Sequence, residues 1–201
     1  FAELHCLSNY SFLRGASHPE ELVYRASDLG YNAIAITDEC SYSGLVKAHV
    51  AAKQCGIKLI VGAEFFVDMA HGEEKNSVEN IIMLAPTRQA YGQLSAFISK
   101  IRRKNQKGNS YLHYEDCQIG LSDCLILWSP ELQDIDIQVS VGQKLKTIFQ
   151  HFWITLELFQ DGFDIDKTAQ ALTLSSRLNL RLVASNNVHT HVPERQPLQD
   201  I

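Results

Sequence analysis

The chain has 201 residues, a formal net charge of -5, and 45% hydrophobic and 20% charged residues. This length suits one domain with a substantial core, and the acidic balance argues against a domain that coats nucleic acid as a whole. Five cysteines without a CxxC pair indicate a reducing, cytoplasmic setting instead of a disulfide framework or a zinc knuckle, and the lack of an apolar run of roughly 20 residues indicates no membrane partner.

The N-terminal stretch is an apolar, strand-like segment that ends at His5 and continues into a polar loop. A His at the tip of an early strand lies where α/β proteins place functional groups. After the loop, residues 17–20 read Ser-His-Pro-Glu, which predicts a capping box with Ser17 as the N-cap and Glu20 reaching back. The pattern predicts a helix over 18–29 that ends at Gly30.

The rest of the chain alternates between short apolar runs and amphipathic segments. The apolar runs predict strands over 33–37, 58–62, 80–85, 125–128, 153–158 and 180–185. Helices are predicted over 44–54, 87–101, 142–152 and 165–178, and a polar turn with His71 over 69–78. This βα alternation, about seven units long, predicts a parallel sheet. The two tryptophans, Trp128 and Trp153, fall in apolar runs and are expected in the core.

Polar side chains follow most of the predicted strands, which favours a distorted barrel over a doubly wound sheet, because a barrel brings strand ends to one mouth. No Gly-rich phosphate loop follows any strand, so nucleotide binding of that kind is not expected. The strand ends carry His5, Asp38, Glu39, Glu64, Glu157, Asn186, Asn187 and His189. Imidazole and carboxylate groups are ligands for zinc, manganese or iron, and two or more such ions activate water and bind phosphoesters.

A basic run closes the third predicted helix. It consists of Lys100, Arg102, Arg103, Lys104 and Lys107. One interpretation is a surface that contacts DNA phosphates or a partner. The other is that these cations are placed at a helix C-terminus, where the helix dipole favours positive charge. The sequence leaves both interpretations open.

Four segments carry a family resemblance: ELHCLSNYSFLRGASHPEELV, AIAITDECSYSGLVKAHVAAK, IKLIVGAEF and LVASNNVH. They resemble the N-terminal PHP (polymerase and histidinol phosphatase) domain of bacterial C-family DNA polymerases, and within that family the error-prone, translesion homologue of the polymerase III alpha subunit. The resemblance implies an α/β fold with a distorted, TIM-like barrel of seven strands. It also implies that residues 1–201 form one PHP domain of a longer chain, with 193–201 leading into the polymerase core.

The resemblance implies a metal site at the strand ends, which this chain preserves only in part. The positions that match or could replace the family's ligands are His5, Asp38, Glu39, Glu64 and His189. The positions that depart from the pattern are Leu7, Arg14, Asn80 and Asn187. We therefore expect a degenerate site with no resident cofactor, or at most one zinc- or manganese-like ion. Arg14 is expected to pair with Glu39, Glu64 or Asp38 where the family has metal.

Two functions follow from these residues. The first is a catalytically silent domain that supports the polymerase core and offers a docking surface, while the core synthesises DNA with magnesium. Its partners would be that core, DNA through the core, and other translesion proteins. The alternative is a metal-dependent phosphoesterase or 3′-5′ exonuclease that works with a reduced metal site.

Overall fold

A computed structural model describes residues 1–69, 78–106, 108–118 and 120–199. The strands are Ala2–Glu3 (β1), Ala33–Ile36 (β2), Lys58–Asp68 (β3), Val78–Ala85 (β4), Leu112–His113 (β5), Leu125–Ser129 (β6), Phe152–Glu157 (β7) and Leu182–Ser185 (β8). The α-helices are Pro19–Asp28 (α1), Leu45–Cys55 (α2), Arg88–Lys104 (α3), Ile135–Ile148 (α4), Asp164–Leu178 (α5) and Gln196–Gln199 (α6), with 3₁₀ turns at Tyr114–Gln118 and Pro193–Arg195.

Seven strands follow one another in the order β1-β2-β3-β4-β6-β7-β8, and β5 pairs with β3 beside this path. The seven form a nearly closed barrel with helices outside, as the sequence predicts. The side chains that face inward alternate with those that pack on the helices, because successive strand residues point to opposite faces. No described helix is both long enough and apolar enough to cross a membrane.

The expectation of a wholly parallel sheet is wrong at β4. This strand runs antiparallel to both of its neighbours, β3 and β6, while the other neighbouring pairs are parallel. The reason is the connection: nine residues separate the end of β3 from the start of β4, and a parallel return needs a longer crossover, usually a helix. The predicted polar turn with His71 belongs to this connection, most of which lies outside the described residues.

The barrel closes between β1 and β8 through a buried carboxylate and a short bridge. The Glu3 carboxylate accepts hydrogen bonds from the Ser185 hydroxyl at 2.6 Å, from the Asn186 side-chain amide at 2.7 Å and from the His5 backbone N–H at 3.0 Å. Just above it, the Val188 N–H donates to the His5 carbonyl at 2.9 Å. Side-chain bonds to Glu3 and the backbone bonds of this single bridge thus close the seam, where the described chain has no strand ladder.

The start of α1 differs by one residue from the predicted capping box. The N-cap is His18, whose backbone N–H donates to Glu21 Oε2 at 2.8 Å. Ser17 is not free to cap, because its buried hydroxyl lies 2.7 Å from His191 Nδ1 and accepts from the His191 backbone N–H at 2.9 Å. Pro19 then occupies the first helical turn, where its missing N–H costs nothing.

Substitution by alanine is expected to change the free energy of unfolding in opposite directions at two helical glycines. A Cβ on Gly142 in α4 would lie 2.3 Å from Leu178 Cδ1 and 2.9 Å from the Trp128 ring, both of them buried, whereas Gly92 in α3 has open space. We expect Gly142→Ala to lower the free energy of unfolding by about 1–3 kcal/mol through overpacking. Gly92→Ala should raise it by roughly 0.5–1 kcal/mol through helix propensity.

Urea unfolding of both variants measures this difference. Equal gains in the two variants would show that the contact between α4 and β6 is looser than these distances indicate.

Candidate functional site

His5 lies between two carboxylates at the upper end of the barrel, where the parallel strands end. Its Nδ1 is 2.7 Å from Glu157 Oε1 in β7, and its Nε2 is 3.2 Å from Glu64 Oε2 in β3. Burial alone would lower the pKa of His5, but the hydrogen bonds and charges of Glu157 and Glu64 raise it from 6.5 to about 9. Because ionised carboxylates only accept hydrogen bonds, both ring nitrogens donate, and His5 is an imidazolium at neutral pH.

Arg14 is the second cation of this cluster. One guanidinium nitrogen donates to Glu64 Oε1 at 2.9 Å, the other reaches Glu39 Oε2 at 3.5 Å, and the guanidinium lies 4.9 Å from the centre of the Phe66 ring. Burial would raise the pKa of Glu64, but His5 and Arg14 outweigh it and hold that pKa below its usual range. The pairing expected for Arg14 is therefore present with Glu64 and Glu39, and not with Asp38.

The loop between β1 and α1 holds Arg14 in place. The Arg14 and Gly15 backbone N–H groups donate to the Ser11 carbonyl at 3.1 and 3.0 Å, and Leu13 adopts the left-handed conformation with φ of 61°. A Cβ on Gly15 would lie 2.1 Å from the Ser8 carbonyl oxygen, so only glycine fits this turn. Local backbone packing thus directs Arg14 towards Glu64.

Asp38 belongs to a separate buried network. Its carboxylate accepts from the Ser8 backbone N–H at 2.8 Å, from the Ser8 hydroxyl at 2.7 Å and from the Ser11 hydroxyl at 2.8 Å. Burial raises the pKa of Asp38 despite these bonds. The neighbouring Glu39 accepts from the Ser110 hydroxyl at 2.6 Å in addition to Arg14. Asp38 therefore anchors the loop that carries Arg14.

The remaining predicted positions lie around this cluster without joining it. His189 Nε2 is 2.9 Å from Asn187 Oδ1, and burial followed by the charge of Arg14 lowers the pKa of His189. Leu7 is fully buried. The side-chain oxygen of Asn80 is buried and has no hydrogen-bond partner among the described residues. Of the two expected histidine ligands, His5 hydrogen-bonds to carboxylates, whereas His189 contacts the side chains of Asn187 and Gln199 among the described residues.

The side chains expected as metal ligands are not arranged to bind a metal ion in the described structure. Within the described ranges, no group of three or more His, Cys, Asp or Glu side chains is arranged to hold one. A His that donates from both nitrogens has no lone pair for a metal, and a guanidinium already occupies Glu64. The geometry instead forms a cluster of two side-chain cations, His5 and Arg14, with the carboxylates of Glu39, Glu64 and Glu157. We call this the charge cluster.

A cavity of about 430 Å³ lies beside the charge cluster. Its lining includes Asn80, Ser129, Glu157, Phe159 and Lys167. The Ser129 hydroxyl donates to Glu157 Oε2 at 3.1 Å, and Lys167 lies 4.6 Å from the Phe159 ring centre. Glu157 lies at a predicted strand end but is not among the expected ligands. The sequence carries no signal for the cavity, because the walls of the cavity come from distant parts of the chain.

The basic run of α3 is largely engaged within the chain. Lys104 and Lys100 lie 2.5 and 3.9 Å from the Asp116 carboxylate. Arg102 donates to the Glu39 carbonyl at 2.9 Å and to the Cys40 carbonyl at 3.1 Å, which ties α3 to the loop after β2. Arg103 is exposed and donates to a carbonyl of its own helix. Lys107 lies outside the described residues, and contact with DNA stays a prediction.

The amino-acid sequence matches known proteins along its whole length. It is 46% identical over 202 residues to an error-prone DNA polymerase of Methylococcus capsulatus and 42% identical over 203 residues to one of Idiomarina loihiensis. Both alignments include all of this chain but only 18% and 19% of those relatives. The chain therefore spans about a fifth of the curated relatives it matches.

Solved structures share the fold at low sequence identity. An amidohydrolase from Chromobacterium violaceum superposes with a TM-score of 0.71 at 15% identity, covering 94% of this chain and 87% of that one. A two-domain protein from Bacteroides vulgatus, described as containing a predicted PHP-like metal-dependent phosphoesterase, gives 0.58 at 14% identity, covering 96% of this chain and 53% of that one. The family model for the PHP domain matches residues 3–158. The chain belongs to the PHP domain family.

Proposed function

We propose that this chain is the PHP domain of an error-prone, translesion DNA polymerase, and that it serves there as a structural and docking module without hydrolytic activity of its own. The observation that carries the proposal is the charge cluster, in which Arg14 and His5 bind the carboxylates that would otherwise serve a metal ion. Similarity to error-prone polymerases along the whole chain supports the assignment to such an enzyme.

The longer polymerase would supply the chemistry and most of the partners. We propose that residues 1–201 form a single PHP domain, that 193–201 leads into the polymerase core, and that this core binds DNA and uses magnesium. Other translesion proteins are further candidate partners. Five free cysteines, four of them buried, support a reducing cytoplasmic location.

Electrostatics favours the cluster over a bound ion. At an effective dielectric of about 20, two unit charges about 4 Å apart repel by roughly 4 kcal/mol, and a divalent ion doubles that figure. An ion bound by Glu64 would share this carboxylate with the Arg14 guanidinium, 2.9 Å from its Oε1. Arg14 belongs to the same polypeptide as Glu64. Its guanidinium therefore occupies this position without the loss of translational entropy that accompanies binding of a free ion.

Metal-dependent phosphoester hydrolysis, including 3′-5′ exonuclease action, is the second candidate function. The observation in its favour is the polar cavity beside the charge cluster, which opens next to Glu157 and Lys167. The Bacteroides vulgatus protein of similar fold is described as a predicted metal-dependent phosphoesterase. Zinc- or manganese-dependent hydrolysis of a single-stranded oligonucleotide, abolished by His5→Ala, would establish this function for the present chain.

The first prediction of this proposal concerns metal content. We expect protein purified without a histidine tag, then dialysed against zinc and against manganese, to carry well below one ion per chain by elemental analysis, because its donor groups are hydrogen-bonded or paired with Arg14. His5→Ala and Glu64→Ala variants should give the same value. One ion per chain in the parent, lost in both variants, would contradict the proposal.

Restoring the family's side chains provides the positive control for this measurement. A variant that combines Leu7→His, Arg14→Glu, Asn80→His and Asn187→Asp should bind more zinc than the parent if it folds, which circular dichroism monitors. Because Leu7 is fully buried, Arg14→Glu alone serves as the milder version of the same test.

The second prediction concerns the stability provided by Arg14. Among the described residues, removing this charge leaves Glu64 with His5 as its one cationic partner. We therefore expect Arg14→Met to lower the free energy of unfolding by about 2 kcal/mol, less than the full loss of a buried pair because Arg14 is partly exposed. Arg14→Lys should restore part of this loss. The control is Arg103→Met on the exposed face of α3, for which we expect a change within about 0.5 kcal/mol.

Equal effects of Arg14→Met and Arg103→Met in urea unfolding would show that the guanidinium is not a structural tie. The proposal would then lose its main support.

The third prediction is a pH dependence of stability from His5. Its pKa is about 9 when folded and 6.5 when unfolded, so the stabilisation is fully present below pH 6.5 and is lost as the pH rises through 9. This contribution of His5 to the free energy of unfolding is about 3 kcal/mol at most. Thiols of the unfolded chain ionise near pH 8.5 and add their own pH dependence, so His5→Gln is the comparison: its stability should fall less between pH 6.5 and 9.

Parallel pH profiles for the parent and His5→Gln would mean that the imidazole is neutral in the folded protein. The cation assigned to His5 would then be wrong, whatever the metal content.

A further inference from the structure

The lower end of the barrel, opposite the charge cluster, is an open apolar cavity of about 430 Å³. Nine of its ten lining residues are apolar, among them Ile60, Leu125, Trp153 and Val183. Leu84 and Leu127 are almost fully buried, whereas Trp153, expected in the core from sequence, is only partly buried. A concave apolar surface with a partly exposed tryptophan is typical of a site that receives a side chain of a partner.

The rim of this cavity is positively charged. The tenth lining residue is Arg181, which is exposed and lies 5.2 Å from the centre of the Trp153 ring. Lys58 stands two residues before Ile60 on β3 and so on the same face of the strand, and it too is exposed. Neither cation forms an ion pair with any residue that the structure describes.

No carboxylate neutralises this rim from the cavity wall, because the lining contains no acidic residue. The acidic residue closest in sequence to the wall is Glu3, next to Leu4, and its buried carboxylate accepts hydrogen bonds from the Ser185 hydroxyl at 2.6 Å and the Asn186 side-chain amide at 2.7 Å. The next closest is Asp123, two positions before Leu125. Its side chain accepts hydrogen bonds from the amide of Gln89 at 3.0 Å and from that of Gln93. The cavity therefore combines apolar walls with uncompensated positive charge.

We propose that this lower cavity is a docking site for an acidic segment of a partner protein, which inserts one large apolar side chain and places a neighbouring carboxylate against Arg181. The apolar walls provide the anchor, and the planar guanidinium, held against Trp153, is suited to bind a carboxylate through two hydrogen bonds. The proposal concerns the opposite end of the barrel from the charge cluster and does not depend on whether that cluster binds metal.

A second copy of this chain fits the cavity less well than an acidic segment does. Two copies related by a two-fold axis through this end would bring Arg181 and Lys58 of one copy near the same residues of the other. Like charges that face each other across an interface weaken it. Charge complementarity therefore favours an acidic partner over self-association.

Selection from a library of random 12-residue peptides displayed on phage tests the proposal, because such a library offers apolar and acidic residues in many combinations. The bait is the 201-residue chain, immobilised once as the parent and once as Arg181→Glu. We expect the parent to enrich peptides that contain an aromatic or Leu residue next to Asp or Glu. The matched control is Arg103→Glu, which makes the same charge change on α3 and should select the same peptides as the parent.

The strongest synthetic peptide is then titrated while tryptophan emission is recorded. Trp153 is the partly exposed one of the two tryptophans, so binding at the cavity should change its emission. We expect Arg181→Glu to weaken binding by at least about tenfold, because it turns an attraction into a repulsion, and Arg103→Glu to leave it within about twofold.

Three results of the peptide experiments would overturn the proposal. They are a library that yields no enriched peptide, enriched peptides without acidic residues, and acidic peptides that bind Arg181→Glu as tightly as the parent. Dimerisation of the parent in sedimentation experiments, lost in Arg181→Glu, would identify a second copy as the occupant and would also overturn it. Circular dichroism of both variants confirms that they remain folded.

Discussion

The protonated His5 between Glu64 and Glu157 is the interaction on which the upper end of the barrel depends. It joins the loop after β1 to β3 on one side and to β7 on the other, and so braces the barrel across its mouth. Buried charges are costly unless each is paired and hydrogen-bonded. Here the positive charges of His5 and Arg14 offset most of the negative charge of the carboxylates in the cluster, without any added ion. The buried members, His5 and Glu64, depend most on this pairing, because Arg14 and Glu39 are partly exposed to solvent.

The order of strands and helices was predictable because apolar runs and amphipathic segments have different periods and lengths. The helices at α1, α2 and α5 begin and end within a residue or so of the expected positions. The direction of β4 was missed, since an apolar run reads the same for a parallel and an antiparallel strand. The two-residue strand β5 was missed because it is too short to show any period. The cap of α1 was displaced by one residue, because the hydroxyl of Ser17 is taken by His191, 174 positions away in the sequence.

The residues of the candidate site were predictable from the sequence, but the pairing of each cation with a particular carboxylate was less so. Sequence places His5, Glu64 and Glu157 at strand ends and Arg14 in the adjoining loop, which is enough to expect a guanidinium beside carboxylates. It does not say which carboxylate each cation binds, because that depends on side-chain directions in three dimensions. Asp38 illustrates the difference: it lies next to Glu39 in sequence, yet it turns away from Arg14 to accept from Ser8 and Ser11. The serines carry no signal in the sequence beyond their presence in a polar loop.

The same strands carry charged inward side chains at one end of the barrel and apolar ones at the other. At the upper end the inward positions carry charged groups, which must be paired, and the result is a rigid polar cluster. At the lower end the inward positions carry aliphatic and aromatic side chains that leave a cavity, and the adjoining cations stay unpaired among the described residues. The rigid cluster at the upper end does not constrain the lower end, because fully buried residues such as Ile82 and Ala35 pack the strands between the two ends. The proposed loss of the metal site therefore need not loosen the scaffold, and the surface at the far end is available for binding.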